Sequence, residues 1–318
     1  MNNNNYINRE NVSTKIGFGN GIKDAAISNN NVIGLGSDIT SSVGMNIFKE
    51  AFPDRFYSLG IAEQNAIGIA AGMALSGLIP VFSTYAVFAS MRTLDQIRIS
   101  LCYNNLHVII GGAHSGISVG PDGATHQALE DISTLRALPN MTIISPCDAT
   151  QTKIATKLAI EELDGPVYIR FGREPMPDFS DKKQDFSIGK AQRLTEGTDI
   201  AIIASGHLVW ESLEAAKELK EKGVDTRVIN MHTIKPIDKD EIILAAKECN
   251  YIITAEEHQI TGGLGSAVAE IIVKNHPCKM DFIGMPNTFG ESGLARELMD
   301  KYGMNAKAIV QKVLKLIE

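Results

Sequence analysis

The stretch VIIGGAHSGISVGPDGATHQALED, residues 108–131, decides how the chain is read. It opens on a β-branched apolar run, 108–111, that reads as a buried strand. The loop segment that continues it, 111–131, holds five glycines, two histidines and two aspartates. That loop is too long and too flexible for a plain connector, and open α/β sheets place their ligands at strand ends. The same short apolar runs recur at 32–35, 79–82, 142–145, 167–171, 200–204, 226–230, 251–255 and 280–284. Helix-like segments lie between them, for example 148–163, 209–222, 263–274 and 306–317. Strand–helix alternation of this kind argues for parallel sheets covered on both faces. The spacing predicts an α/β protein of two doubly wound domains. The first covers 1–175, a Pro-bearing, charged linker 176–195, and the second 196–318.

Composition narrows the function. The chain has 318 residues, 44% hydrophobic and 21% charged, with net charge −7 and mean hydropathy −0.01. This is a globular profile, and two domains suit the length. No lysine/arginine block occurs, so nucleic acid is not an expected partner. Cys102, Cys147, Cys249 and Cys278 are scattered without metal-ligand or disulfide spacing, so no metal site is expected on this chain and a cytoplasmic location is. The N-terminus MNNNNYINREN lacks the apolar core of a signal peptide. The most membrane-like stretch, 66–82, holds three glycines and Pro80 and is short of a span. It reads as a buried helix feeding a buried strand, and no membrane partner is expected.

Five clusters bear chemistry. GSDITSS (36–42) is a hydroxyl-rich loop after a strand, and a turn with a helix cap would explain it as well. GIAEQN (60–65) sets Glu63 at the start of an Ala/Gly-rich helix. A dipole or capping role is the ordinary reading there, but a dry surrounding would suit a proton-sharing carboxylate. STYAVFASMRTLDQIR (83–98) repeats Tyr85, Phe88 and Met91 on one face, which by itself is a core pattern. In the 111–131 loop, His114, Asp122 and His126 could converge on a polar ligand. VYIRFGR (167–173) puts two arginines at a strand end, suited either to an anion or to a surface ion pair. GGLGSA (262–267) reads as structural, and the Glu256–Glu257–His258 run is left without a role, since adjacent strand residues point different ways. Serine-hydrolase, zincin and Walker motifs are absent from the sequence.

Taken in order, GSDIT, GIAEQN, TYAVFASMRTLDQIR, DGATHQALED, LPNMTIISPCDA, GPVYIRFGRE and AEEHQITGGLGSAVAE resemble the thiamine-diphosphate enzymes of the transketolase family. The chain is similar to their pyrimidine-binding domain followed by their C-terminal domain, over about residues 14–318. The resemblance implies that Glu63 bonds the aminopyrimidine nitrogen, with Tyr85 and Phe88 against that ring and Ile39, with Asp38, supporting the cofactor. It implies that Asp122 and His126 hold sugar hydroxyls, His126 also moving protons. His114, Arg173 and Ser42 would form the sugar-phosphate pocket. Lys15 stands where the family carries an arginine; it can neutralise a phosphate but lacks the bidentate fork. The family's GDG motif, part of its diphosphate–magnesium domain, does not occur in this sequence. The expectation is therefore the C-terminal subunit of a split transketolase, transferring a glycolaldehyde unit between a ketose phosphate and an aldose phosphate. An N-terminal, GDG-bearing subunit would supply the magnesium ligands, in an α2β2 heterotetramer. The competing readings are the β subunit of a 2-oxo-acid dehydrogenase, a deoxyxylulose-phosphate-synthase-like enzyme, and a non-catalytic module that kept only the fold.

Overall fold

A computed structural model of the chain describes residues 6–181 and 185–318; the Asn-rich start, residues 1–5, lies outside the described residues. In chain order the strands of the first half are β1 (Asn11–Ser13), β2 (Val32–Gly36), β3 (Phe56–Ser58), β4 (Ile79–Tyr85), β5 (Ile109–Ala113), β6 (Thr142–Ile144), β7 (Val167–Arg170) and β8 (Pro175–Pro177). Those of the second half are β9 (Gln192–Thr195), β10 (Ile200–Ala204), β11 (Thr226–Asn230), β12 (Thr233–Lys235), β13 (Tyr251–Gln259) and β14 (Lys279–Met285). All nine expected strands form. They are the long β-branched runs, fully buried along β2, β5, β10 and β11 as parallel strands covered on both faces must be.

Two sheets result. One has the order β12-β6-β7-β5-β4-β2-β3, and the other β14-β13-β10-β11-β9. The helices expected between the strands form as Ala149–Glu162, Leu208–Glu221, Leu264–Asn275 and Ala306–Ile317. Asp148 caps the first of these by accepting from Gln151 N–H at 2.8 Å. β12 lies in the second half of the sequence yet pairs antiparallel with β6 at the edge of the first sheet. The stretch read as a linker carries β8, paired with β1, and β9, an edge strand of the second sheet. One apolar cluster runs from Ile33, Leu35 and Ile67 through to Ile203, Ile229 and Leu264, so the sheets share core.

The 66–82 stretch is a helix (Glu63–Leu75) followed by β4, as expected, but that helix is buried on one face only. Ala66, Ile67 and Ala70 are buried, while Gly68 and Gly72 face open space and Leu75 is 73% exposed. Ile61 just before it is also 73% exposed. Among the described residues no helix is long and apolar enough to cross a membrane.

Candidate active site

The carboxyl ends of β7, β5, β4 and β2 are neighbours in the sheet, so the segments leaving them share one edge. Each carries a sequence-predicted site residue: Arg173 after β7, His114 after β5, Tyr85 at the end of β4, and Asp38 to Ser42 after β2.

His114 is the first residue past β5, with φ +55, in the left-handed region that residues other than glycine seldom adopt. Its ring stacks on Tyr85 with centroids 4.7 Å apart. Its Nε2 lies 3.0 Å from the Ser42 carbonyl oxygen, which can only accept, so Nε2 carries the proton. Burial pushes the imidazole pKa down to about 4, with Arg173 and Lys15 acting in the same direction against the Ser42 carbonyl and Asp122. The ring is therefore neutral at pH 7. Its Nδ1 is a buried acceptor with no hydrogen-bond partner among the described residues.

His126 meets both predicted aromatics edge-on, Tyr85 at 5.5 Å and Phe88 at 5.4 Å between centroids, and its Nδ1 is 2.9 Å from Thr125 Oγ1. Tyr85 and Phe88 touch each other, but Met91 is 37% exposed, so the three-residue stripe is not a core stripe. After β4 the helix runs in wide turns. Ser90 and Thr93 hydroxyls donate back to the carbonyls of Ala86 and Ala89, which competes with regular α-helical bonding.

Glu63 is 3% exposed at the first position of its helix. The dry surrounding expected from the sequence is there, but the carboxylate is not left uncompensated. Arg92 Nη1 donates to both its oxygens at 2.9 Å while the guanidinium lies 4.1 Å over the Phe88 ring. Arg92 was missed by sequence reasoning although it stands inside the STYAVFASMR stretch, because nothing local links it to a residue 29 positions earlier. Contacts thus run Glu63–Arg92–Phe88–His126–Tyr85–His114–Ser42.

Asp122 and Arg173 meet each other. Arg173 Nη1 donates to Asp122 Oδ1 and to the Val119 carbonyl, each at 3.1 Å. Ser42 joins the site through its carbonyl, and Lys15 through its charge on His114. Ile39 packs on the same apolar cluster as Tyr85, whereas Asp38 is exposed, with φ +63.

The motifs set aside behave structurally. Glu256 accepts from Leu264 and Gly265 N–H at 2.7 and 2.8 Å, filling the helix N-terminus that GGLGSA opens. Its neighbours turn elsewhere, His258 to Ser133 N–H and Glu257 to Ser118 N–H.

Family models of the transketolase pyrimidine-binding domain and the transketolase C-terminal domain match residues 10–177 and 189–309. The chain is 41% identical to a protein of Methanocaldococcus jannaschii named putative transketolase C-terminal section, over 94% of each chain. It is 38% identical to a 6-deoxy-6-sulfo-D-fructose transketolase subunit of Clostridium sp. MSTE9, over 88% of this chain and 87% of that one. Among solved structures it is similar to a split-gene transketolase described as an inactive β4 tetramer. The TM-score there is 0.90 at 40% identity, over 96% of this chain and 98% of that one.

Proposed function

The chain belongs to the transketolase family, and on that premise we propose that it is the C-terminal subunit of a split, thiamine-diphosphate-dependent transketolase. Its reaction is transfer of a two-carbon ketol unit from an anionic ketose to an aldose. The observation that carries this reading is the contact chain from the buried Glu63 to His114, which lines one sheet edge with a carboxylate, two aromatic rings and two imidazoles.

These residues fit the cofactor. The buried Glu63 carboxylate would hold a ring nitrogen of an aminopyrimidine in place of Arg92, which now covers both its oxygens and the Phe88 ring, and Phe88, Ile39 and Tyr85 would supply apolar wall. Thiamine diphosphate supplies a carbon acid that no amino-acid side chain offers. Glu63 would hold the pyrimidine nitrogen and give or take a proton at its own carboxylate. The neutral His114 accepts a sugar hydroxyl at its unpartnered Nδ1. Asp122 accepts a second hydroxyl, and His126, ringed by aromatics, moves a proton at the sugar oxygen. Arg173 has donors beyond those given to Asp122 and Val119, and with Lys15 it faces the anionic end of the sugar.

Among the described residues no group of three or more His, Cys, Asp or Glu side chains is placed to hold a metal ion, so this reading assigns magnesium and the diphosphate to a GDG-bearing partner. The exposed Ile61, Gly68, Gly72 and Leu75 suit a subunit contact, where small residues allow close approach. The α2β2 arrangement is proposed on that basis, together with residues 196–318 as the C-terminal domain. A sulfonated sugar in the name of the Clostridium relative supports an anionic substrate more firmly than a phosphate. The test is an assay of ketol transfer in the mixed complex. Wild type must turn over and Glu63→Gln must not, with both complexes assembling equally; equal turnover by both removes Glu63 from the reaction.

A further inference from the structure

The loop with Asp122 and His126 lies in the first half of the chain, yet the second half holds both its ends. At the entry, Ser118 N–H donates to Glu257 Oε1 on β13 at 2.7 Å, both residues being buried. Gly116 makes room for that carboxylate: it has φ +81, and a Cβ there would lie 2.4 Å from Glu257 Oε1. Glu257 also meets His207 Nδ1 at 3.1 Å. Burial pulls its carboxyl up, but His207, the Ser118 amide and Arg170 outweigh this and hold it below the usual carboxylate range.

At the exit, the buried Gln127 donates from Nε2 to the Glu291 carbonyl at 2.9 Å. Glu291 is itself held by Lys301 and Tyr302. Gly290 lies so close that a Cβ there would be 2.0 Å from Gln127 Oε1. Just beyond, Arg170 Nη2 donates to the carbonyls of Ala128 and Glu257 at 3.1 and 2.7 Å, tying loop and β13 to one guanidinium. Ile117 and Leu129 share an apolar cluster with Val209, Leu298 and Met299.

We propose that Glu257 and Gln127 are positioning residues: they pin residues 118 and 127 to the C-terminal sheet and its 286–294 loop, so that this half of the chain sets where Asp122 and His126 stand. The pinning rests on geometry alone; its consequence for sugar binding rests on the function proposed above.

Hydrogen–deuterium exchange on the full chain tests the pinning without any assay of turnover. Glu257→Ala leaves a buried N–H without an acceptor, which corresponds to roughly five- to a hundredfold in local opening. Exchange in 114–128 is expected to rise about tenfold or more in Glu257→Ala and in the milder Gln127→Ala. Glu257→Gln keeps an acceptor for Ser118 and should stay near wild type. Ile242→Ala, buried on the helix Lys239–Glu248 and outside the apolar cluster of Ile117 and Leu129, should leave 114–128 unchanged relative to the rest of the chain. In the mixed complex, Gln127→Ala should raise the ketose KM several-fold and leave cofactor half-saturation unchanged. Protection within twofold of wild type in both alanine variants, or equal exchange in Glu257→Gln and Glu257→Ala, would overturn the proposal. So would an equal loss of cofactor and ketose binding. Absence of transfer by the wild-type complex would instead strike the functional reading and leave the exchange result standing.

Discussion

Arg173→Ala separates recognition of the substrate's anion from the geometry of the sugar loop. The side chain is 34% exposed, with Nη1 given to the Val119 carbonyl and to Asp122, and Nε 3.5 Å from Glu174. Two effects follow from its removal. Loss of a charge-assisted bond to the anion costs about 1.5–3 kcal/mol. Partial exposure puts this at the low end, about tenfold in KM. Loss of the pair with Asp122 frees that carboxylate, and a half-exposed ion pair contributes roughly 0.2–1 kcal/mol, or about 1.5- to fivefold, on any ketose. The KM for an anionic ketose should therefore rise about 15- to 50-fold, and that for the neutral sugar of the same skeleton about fivefold at most. Steady-state kinetics of the mixed complex on both sugars, with kcat read separately, decides it. Equal losses on the two substrates would mean that Arg173 shapes the loop and binds no anion.

Arg92 and Glu63 should be energetically coupled. A double-mutant cycle of thermal stability with Arg92→Ala and Glu63→Gln is expected to give about 1–2 kcal/mol, less than a fully buried pair because Arg92 is 43% exposed; a coupling near zero would make the contact incidental. Glu63→Gln alone should lower the melting temperature of the complex by no more than a few degrees, since the freed guanidinium reaches water, and a large fall would mark Glu63 as structural. Stability should decline on acidification. Burial lowers His114 to about 4 and His232 to about 3, so the unfolded chain takes up protons near 6.5 while the folded chain does not. Stability present above pH 6.5 is then lost as the pH falls towards 4, by about 1.4 kcal/mol per unit for each histidine. His232→Asn should lessen the slope of melting temperature between pH 7 and 5, and an unchanged slope would contradict its neutral burial.

The long parallel strands were legible because a strand buried on both faces has to be a continuous apolar run, as in Ile200–Ala204. Gln192–Thr195 and Thr233–Lys235 were not, because short polar edge strands exist only through the neighbour they pair with. The candidate site was readable wherever its proposed residues cluster in sequence, as His114, Asp122 and His126 do. It was opaque where contacts join distant segments. Arg92 meets Glu63 across 29 positions and Glu257 meets Ser118 across 139, and neither distance leaves a periodic or local mark. Nor does a sequence announce the left-handed backbone of His114, which only the fold around it imposes.

The most direct measurement is a calorimetric titration of thiamine diphosphate and magnesium into the purified chain, repeated after addition of the GDG-bearing subunit, with ketol transfer assayed in both. Weak binding and no transfer by the chain alone, then tight magnesium-dependent binding and turnover in the mixture, is the predicted result. Tight magnesium-dependent binding and turnover by this polypeptide alone would contradict the division of the active site between two chains.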